Sequence, residues 1–276
     1  MQRATPRRVT IAFLVVTLYA FVDYHRTFSF INLFPHLTRY EKATGFRVSE
    51  GVVYLLLSYI LLPRLRRYLR LPRINRRWIP LVLLVVFELS PYFSQIYSFR
   101  HDLSTLARAF YWVFAIGFFE ETLSRLLIFG LLNKYVGLWP AIIISSINFG
   151  MMHFGNLHAD GQGLQETTMQ VIGAAAFGFL AISLMLYFKS LWVPILMHAI
   201  TDLSLSVGPI RESATQHSGG ITGHGLGLLD WIALLLHSSV NIGIGIALLV
   251  GARIFRGIRK FRAPLEVLLH SLQLVK

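Results

Sequence analysis

Two adjacent glutamates lie inside an otherwise apolar stretch of the chain. Glu120 and Glu121 occur in the segment 106–132, which reads LARAFYWVFAIGFFEETLSRLLIFGLL. An ionised carboxylate inside a bilayer is costly unless it faces a polar cavity or a partner, and two neighbouring carboxylates repel each other. The pair therefore predicts a polar working site within an apolar helix.

Helical spacing assigns the two glutamates different surroundings. Glu121 and Arg125 are four residues apart and share one face, so they can form an ion pair that offsets the cost of burying Glu121. Glu120 points about 100° away, so either glutamate could act as a general base, with Glu120 the less encumbered of the two. The alternative is a structural ion pair that locks two helices together, although this leaves the second carboxylate unexplained.

Two later apolar segments also carry ionisable groups at helical spacing. His153 follows Phe149 by four residues, and Asp202 follows His198 by four, so each pair shares a helix face. Asp202 can accept a hydrogen bond from the His198 ring and fix its tautomer. Taken singly, His153 and the His198–Asp202 pair are also compatible with packing roles. Ionisable groups on three separate segments together favour a catalytic site.

A metal site is the minority alternative for these residues. Zinc in enzymes is held by three protein ligands and a water, and Glu121, His153 and His198 have suitable side chains. The two histidines of a soluble HExxH zinc site lie on one helix, and that spacing is absent here.

Composition predicts an all-α, polytopic membrane protein. The chain is 55% hydrophobic, its mean hydropathy is +0.59, and its apolar runs approach the roughly 20 residues that cross a bilayer. We expect a bundle of about eight transmembrane helices forming a single domain, 1–276, with the motifs in a core at about 104–207. The predicted spans lie near 9–22, 49–62, 79–99, 104–132, 138–154, 167–188, 190–207 and 226–252. The segments 23–48 and 208–225 are predicted to be loops.

The chain has a net charge of +13, and its basic residues cluster between the apolar runs. The main basic clusters are Arg3, Arg7, Arg8, then Arg64, Arg66, Arg67, Arg70, Arg73, Arg76, Arg77, and finally Arg253, Arg256, Arg259, Lys260, Arg262. This is the positive-inside pattern of a multi-pass membrane protein, with both termini cytoplasmic. It indicates the bilayer, not nucleic acid, as the partner, since no nucleic-acid recognition module accompanies the charge. Arg26, Arg39, Lys42 and Arg47 would then lie outside, against the trend.

The three motifs resemble the CAAX prenyl protease and bacteriocin-processing (CPBP) family of intramembrane glutamic endopeptidases. That family has EExxxR, FxxxH and HxxxN or HxxxD in this order. The corresponding residues here are Glu120, Glu121 and Arg125, then Phe149 and His153, then His198 and Asp202. The resemblance covers about residues 104–207.

The resemblance implies a fold, a mechanism and a location. It implies about eight helices around a hydrophilic catalytic cavity, in an integral membrane protein of the plasma membrane if the source is prokaryotic. Glu120 and His153 would activate a water, while His198 and residue 202 would stabilise the oxyanion, without a metal. The eukaryotic prenyl-protein proteases are best known with Asn at the last position. Because an ionised Asp cannot donate a hydrogen bond, Asp202 is either protonated or orients His198.

The expected activity is hydrolysis of a peptide bond near the membrane, in a small peptide or in the tail of a membrane-anchored protein. Two other functions remain compatible with the sequence. One is a non-catalytic immunity or scaffold protein that keeps the helical bundle. The other is a proton-coupled transporter in which Glu120, Glu121 and His153 form a relay. The chain has no cysteine, so disulfides and cysteine-based catalysis are excluded.

Overall fold

The computed structural model describes residues 38–72, 78–89, 103–157, 162–215 and 227–252. These residues form eight α-helices and no strand. The helices are α1 (Arg39–Leu61), α2 (Trp78–Leu89), α3 (Leu103–Glu121), α4 (Phe129–Val136), α5 (Leu138–Met152), α6 (Leu164–Phe188), α7 (Trp192–Thr215) and α8 (Leu228–Gly251). A π-helical segment (Thr122–Ile128) joins α3 to α4, and 3₁₀ segments follow α1 (Pro63–Leu69) and α5 (His153–Asn156). The predicted span at 9–22 and the part of the third span after Leu89 lie outside these residues.

Two predicted loops are partly helical, which corrects the sequence interpretation. Helix α1 begins at Arg39, ten residues before the predicted span, because Thr38 and Glu41 form a capping box. Thr38 donates both its backbone N–H and its hydroxyl to Glu41, and these hydrogen bonds lower the pKa of that carboxyl. Helix α7 continues to Thr215 and so includes part of the segment predicted to be a loop.

Helix α6 is the centre of the bundle. It packs against α5, α7 and α8, and its residues from Ala176 to Leu186 are almost all buried. Helix α3 packs between α1 and α7. One apolar cluster is built around α1, α3, α4 and α5, and a second around α2, α6 and α7.

Apolar side chains also cover much of the outer surface. Exposed leucine, isoleucine and valine residues are frequent on α1, α2 and α8, as expected of a surface that faces lipid. Two of the described helices, Leu164–Phe188 and Leu228–Gly251, are long and apolar enough to cross a bilayer. Both coincide with predicted spans.

Glycines permit the closest helix contacts. A side chain at Gly150 on α5 would meet the Val171 carbonyl and the Ala175 side chain of α6. One at Gly178 on α6 would lie 3.2 Å from the Ser146 backbone. These two positions let α5 and α6 approach at backbone distance, which is a common arrangement between membrane helices.

Substitution of Gly150 tests this packing. Gly150→Ala should destabilise the protein by about 1–3 kcal/mol, because the new methyl group overlaps backbone atoms of α6 that cannot move aside. Gly45→Ala is the matched control, since nothing lies within 4 Å of that position in α1. It should be neutral or stabilising by up to about 1 kcal/mol, as Ala is the better helix former. Thermal unfolding of both variants in detergent measures the difference, and equal stability would contradict the packing.

Candidate active site

A fully buried ion pair forms the floor of the site. Arg125 Nε lies 2.8 Å from Glu121 Oε2, and Arg125 Nη2 donates a hydrogen bond of 3.0 Å to Glu121 Oε1. Neither side chain is exposed. The Arg125 guanidinium also lies over the Phe149 ring, 4.4 Å from its centroid, which adds a cation–π contact. The pair is therefore held from two helices, α3 and α5.

The π-helical segment gives Arg125 its position. It begins at Thr122, whose buried hydroxyl donates to the carbonyls of Phe118 (2.7 Å) and Phe119 (2.9 Å). At its end, the Phe129 N–H bonds to the Ser124 carbonyl, the five-residue step of a π turn. Short π segments inside α-helices are frequently found at functional sites. This one begins directly after the two glutamates and contains Arg125.

His198 lies among three carboxylates. Its Nδ1 is 3.1 Å from Glu121 Oε1. Its Nε2 is 3.3 Å from Asp202 Oδ2 and 3.8 Å from Glu120 Oε2. Both ring nitrogens therefore face acceptors, and the imidazole connects α3 to α7.

Both glutamates face the same imidazole, which differs from the expectation that they point apart. The reason is the close crossing of α3 and α7 at Gly117. A Cβ atom at Gly117 would lie 3.1 Å from the Ile195 carbonyl and 3.3 Å from His198 Cβ. Because α7 is this close to α3, the His198 ring contacts the side chains of both Glu120 and Glu121.

Aromatic rings surround His198. The Phe149 ring on α5 meets it edge-on at a centroid distance of 5.9 Å, and the Phe177 ring on α6 does so at 5.1 Å. Both rings are buried and have a single preferred orientation in a packed core. The His198 imidazole, which lies on α7, is therefore enclosed by side chains of α3, α5 and α6. Only 6% of the His198 side chain is exposed.

His153 lies apart from the carboxylates. Its Nδ1 is 2.9 Å from the Phe149 carbonyl of the preceding turn. Because a carbonyl only accepts, Nδ1 carries the proton and Nε2 keeps its lone pair in the neutral ring. The His153 ring packs edge-on against Phe149 at 5.2 Å, and that same ring contacts His198. His153 is thus one aromatic side chain away from the cluster.

The structure brings together Glu120, Glu121, Arg125, His198 and Asp202, and leaves His153 beside them. Sequence reasoning missed Gly117 and Phe177. Gly117 precedes Glu121 by four residues, so a small residue on the same helix face was a usable signal of close helix packing. Phe177 has no sequence signal, because its role depends on how α6 lies against α7.

The three side chains of the minority zinc alternative, Glu121, His153 and His198, are not grouped as a metal site. Both Glu121 oxygens already contact Arg125, and His153 and His198 each pack against the Phe149 ring. Within the described ranges, no three His, Asp or Glu side chains are grouped so that they could hold a metal ion.

Comparison with known proteins adds an independent observation. Residues 102–204 match the family model described as type II CAAX prenyl endopeptidase Rce1-like. No curated protein and no solved structure matches the chain significantly. The matched range includes every residue of the cluster and agrees with the resemblance inferred from the three motifs. Residues 102–204 are therefore similar to the Rce1-like domain of type II CAAX prenyl endopeptidases.

Proposed function

We propose that the protein is a multi-pass intramembrane endopeptidase that hydrolyses a peptide bond with a water activated by glutamate and histidine. The observation that carries the proposal is the arrangement of Glu120, Glu121 and Asp202 around one imidazole, that of His198. An acid–base group, a hydrogen-bond donor and a fixed counter-charge are the parts that amide hydrolysis requires. The family match supports the same reaction class.

Glu120 is the proposed general base. It keeps 16% of its side chain exposed, whereas Glu121 is fully enclosed. Its Oε2 is buried and makes no hydrogen bond within the described part of the chain, so in this proposal its acceptor position is the one that binds the water. Glu121 has a different task, because its two oxygens are engaged by Arg125 and His198. We assign Glu121 and Arg125 to positioning His198.

His153 assists the base in this scheme. The hydrogen bond from its Nδ1 to the Phe149 carbonyl fixes the tautomer whose Nε2 accepts a proton. Its ring and the His198 ring both contact Phe149, so the lytic water is proposed to lie near that shared side chain. Substrate binding would complete the hydrogen bonds, since such contacts often tighten only in the complex.

His198 is the proposed oxyanion donor, with Asp202 as the residue that orients it. The Nε2–Asp202 distance of 3.3 Å is compatible with an N–H directed at the carboxylate. This contact is longer than the 3.1 Å contact between His198 Nδ1 and Glu121. Asp202 is also more exposed than Glu121. The substrate carbonyl oxygen would take the Nε2 hydrogen bond as charge develops on it.

The bonds and protons balance as follows. Glu120 removes a proton from water as the oxygen adds to the carbonyl carbon. The oxyanion then reforms the C=O bond, the C–N bond breaks, and the proton passes from Glu120 to the leaving nitrogen. The products are a carboxylic acid and an amine, and Glu120 returns to its carboxylate form. The scheme uses side chains and one water, and it includes no cofactor.

The proposed substrate is a small peptide or the tail of a membrane-anchored protein. An apolar cavity of about 200 Å³ lies between α2 and α7, and Met197, the neighbour of His198, is among its lining residues. A cavity of this kind suits an apolar side chain or lipid near the scissile bond. The bilayer and the peptide are thus the partners in the proposal.

Removing the base tests catalysis without removing the fold. Glu120→Gln should lower turnover by about 10²–10⁴-fold, because the amide cannot accept the proton from water. The protein should stay folded, since Glu120 is not part of the buried ion pair. Glu166→Gln is the matched control, at an exposed capping position that glutamine also fills. Mass spectrometry of peptides released from membranes gives the readout, and an unchanged fragment pattern with Glu120→Gln would refute the assignment.

Glu121 should behave differently from its neighbour. Glu121→Gln leaves the Arg125 charge buried without a full counter-charge, which should cost about 3–5 kcal/mol of stability. The double variant Glu121→Gln, Arg125→Met should recover most of that stability but not the activity, because His198 has lost the carboxylate at Nδ1. Thermal unfolding in detergent together with peptide release separates the two effects. A stable, active Glu121→Gln protein would contradict the positioning role.

Variants of Asp202 test how His198 is oriented. Asp202→Asn keeps an oxygen that accepts from Nε2 and adds an N–H that can donate to an oxyanion, so it should retain most of the turnover. Asp202→Ala removes both and should lower kcat by about 10²–10³-fold. The comparison is made by steady-state kinetics at matched protein amounts. Equal activity of the Ala and Asn variants would exclude Asp202 from the mechanism.

A further inference from the structure

One end of the helical bundle is strongly basic. The Leu191 N–H donates to the Tyr68 carbonyl (2.7 Å), and Trp192 Nε1 donates to the Leu69 carbonyl (3.1 Å). These bonds join the 3₁₀ segment after α1 to the turn between α6 and α7. Gly130 packs against Leu62 and Leu65, which brings α4 to the same end. The exposed cations on these parts are Arg64, Arg66, Arg67, Arg70, Lys134 and Lys189.

The opposite end has mixed charge. It contains the starts of α1, α3, α6 and α8 and the end of α5. Asn156 donates to Gln170 (3.0 Å) and so ties the end of α5 to the start of α6. Arg47, on the half of α1 toward this end, pairs with Glu50 at 3.2 Å. The described charged side chains here are Glu41, Lys42, Arg47, Glu50, Arg108, Glu166 and Asp230. By the positive-inside rule, the basic end is cytoplasmic and this end is extracytoplasmic.

The exposure of the site increases away from the basic end. Helix α3 runs toward that end, so Arg125 lies deeper than Glu121 and both have 0% of their side chains exposed. Helix α7 runs in the other direction, so Asp202 lies one turn farther from the basic end than His198. The exposed fraction rises from 6% at His198 to 27% at Asp202. Among the described residues, the more exposed side of the cluster is therefore the Asp202 side, toward the mixed-charge end.

The geometry points to an active site that opens on the extracytoplasmic side of the membrane. The inference rests on the proposed function in one respect, namely that the open side is the side from which substrate enters. The substrate class is then an extracytoplasmic peptide, or the extracytoplasmic segment that adjoins the membrane in an anchored protein. A cytoplasmic tail would have to pass the closed floor made by Glu121 and Arg125, which the basic end covers.

Single-cysteine labelling tests the direction of opening, because the chain has no cysteine of its own. Asp202→Cys is exposed to a membrane-impermeant, charged maleimide in right-side-out vesicles and, separately, in inverted vesicles. We expect labelling in right-side-out vesicles and loss of labelling in inverted ones. Lys189→Cys should give the reverse pattern, and Leu164→Cys, at the start of α6, should follow Asp202→Cys. The readout does not require enzymatic activity.

Two labelling results would overturn the inference. Labelling of Asp202→Cys only in inverted vesicles places the opening on the cytoplasmic side, and labelling from neither side shows a closed site. If Asp202→Cys does not fold, His153→Cys reports instead, since His153 follows α5 at the same end. Cleavage of a reporter peptide by the unaltered protein in the two kinds of vesicle is measured in parallel. Correct labelling without cleavage in either vesicle would refute the proposed function and leave the direction of opening intact.

Discussion

The buried ion pair between Glu121 and Arg125 is the constraint on which the site depends. Neither charge is tolerated alone in a closed apolar interior, so each residue fixes the other. Glu121 also accepts from His198 on α7, and Arg125 stacks on Phe149 of α5. Three helices are thus tied to one pair of charges. A shift of any of them would leave a buried polar group without its partner, which is a strong restraint on the geometry around His198.

Close helix packing makes these contacts possible. A carboxylate and an imidazole on different helices can meet at about 3 Å only where the backbones approach closely, and Gly117 provides that approach between α3 and α7. Gly150 and Gly178 do the same between α5 and α6, the helices that carry Phe149 and Phe177. The aromatic rings then occupy the remaining space beside His198. Small residues therefore set the distances, and large ones restrict the movement of the ring.

Much of this could be predicted from local sequence. Spacing of four residues predicts the Glu121–Arg125 and His198–Asp202 contacts, and apolar runs predict most helices to within a few residues. Where the prediction failed, the structure depends on a weak local signal or on contacts between helices that are far apart in sequence. Helix α1 starts early because a capping box outweighs its charged first turns. The π turn and the contacts of Phe177 depend on packing against other helices, and no periodicity encodes them.

The crowding of carboxylates around His198 has a consequence for the proposed reaction. An oxyanion formed beside Glu120, Glu121 and Asp202 would be repelled if it added a new negative charge to the group. In the proposed step it does not, because Glu120 becomes neutral as it takes the proton from water. The negative charge moves from the Glu120 carboxylate, which faces His198 Nε2, to the substrate oxygen, which is proposed to accept from the same Nε2. In this proposal the His198 imidazole, held in place by Glu121, faces the negative charge both before and after water adds to the carbonyl carbon. In this proposal the second carboxylate of the pair, Glu121, supports His198 and is not a second base.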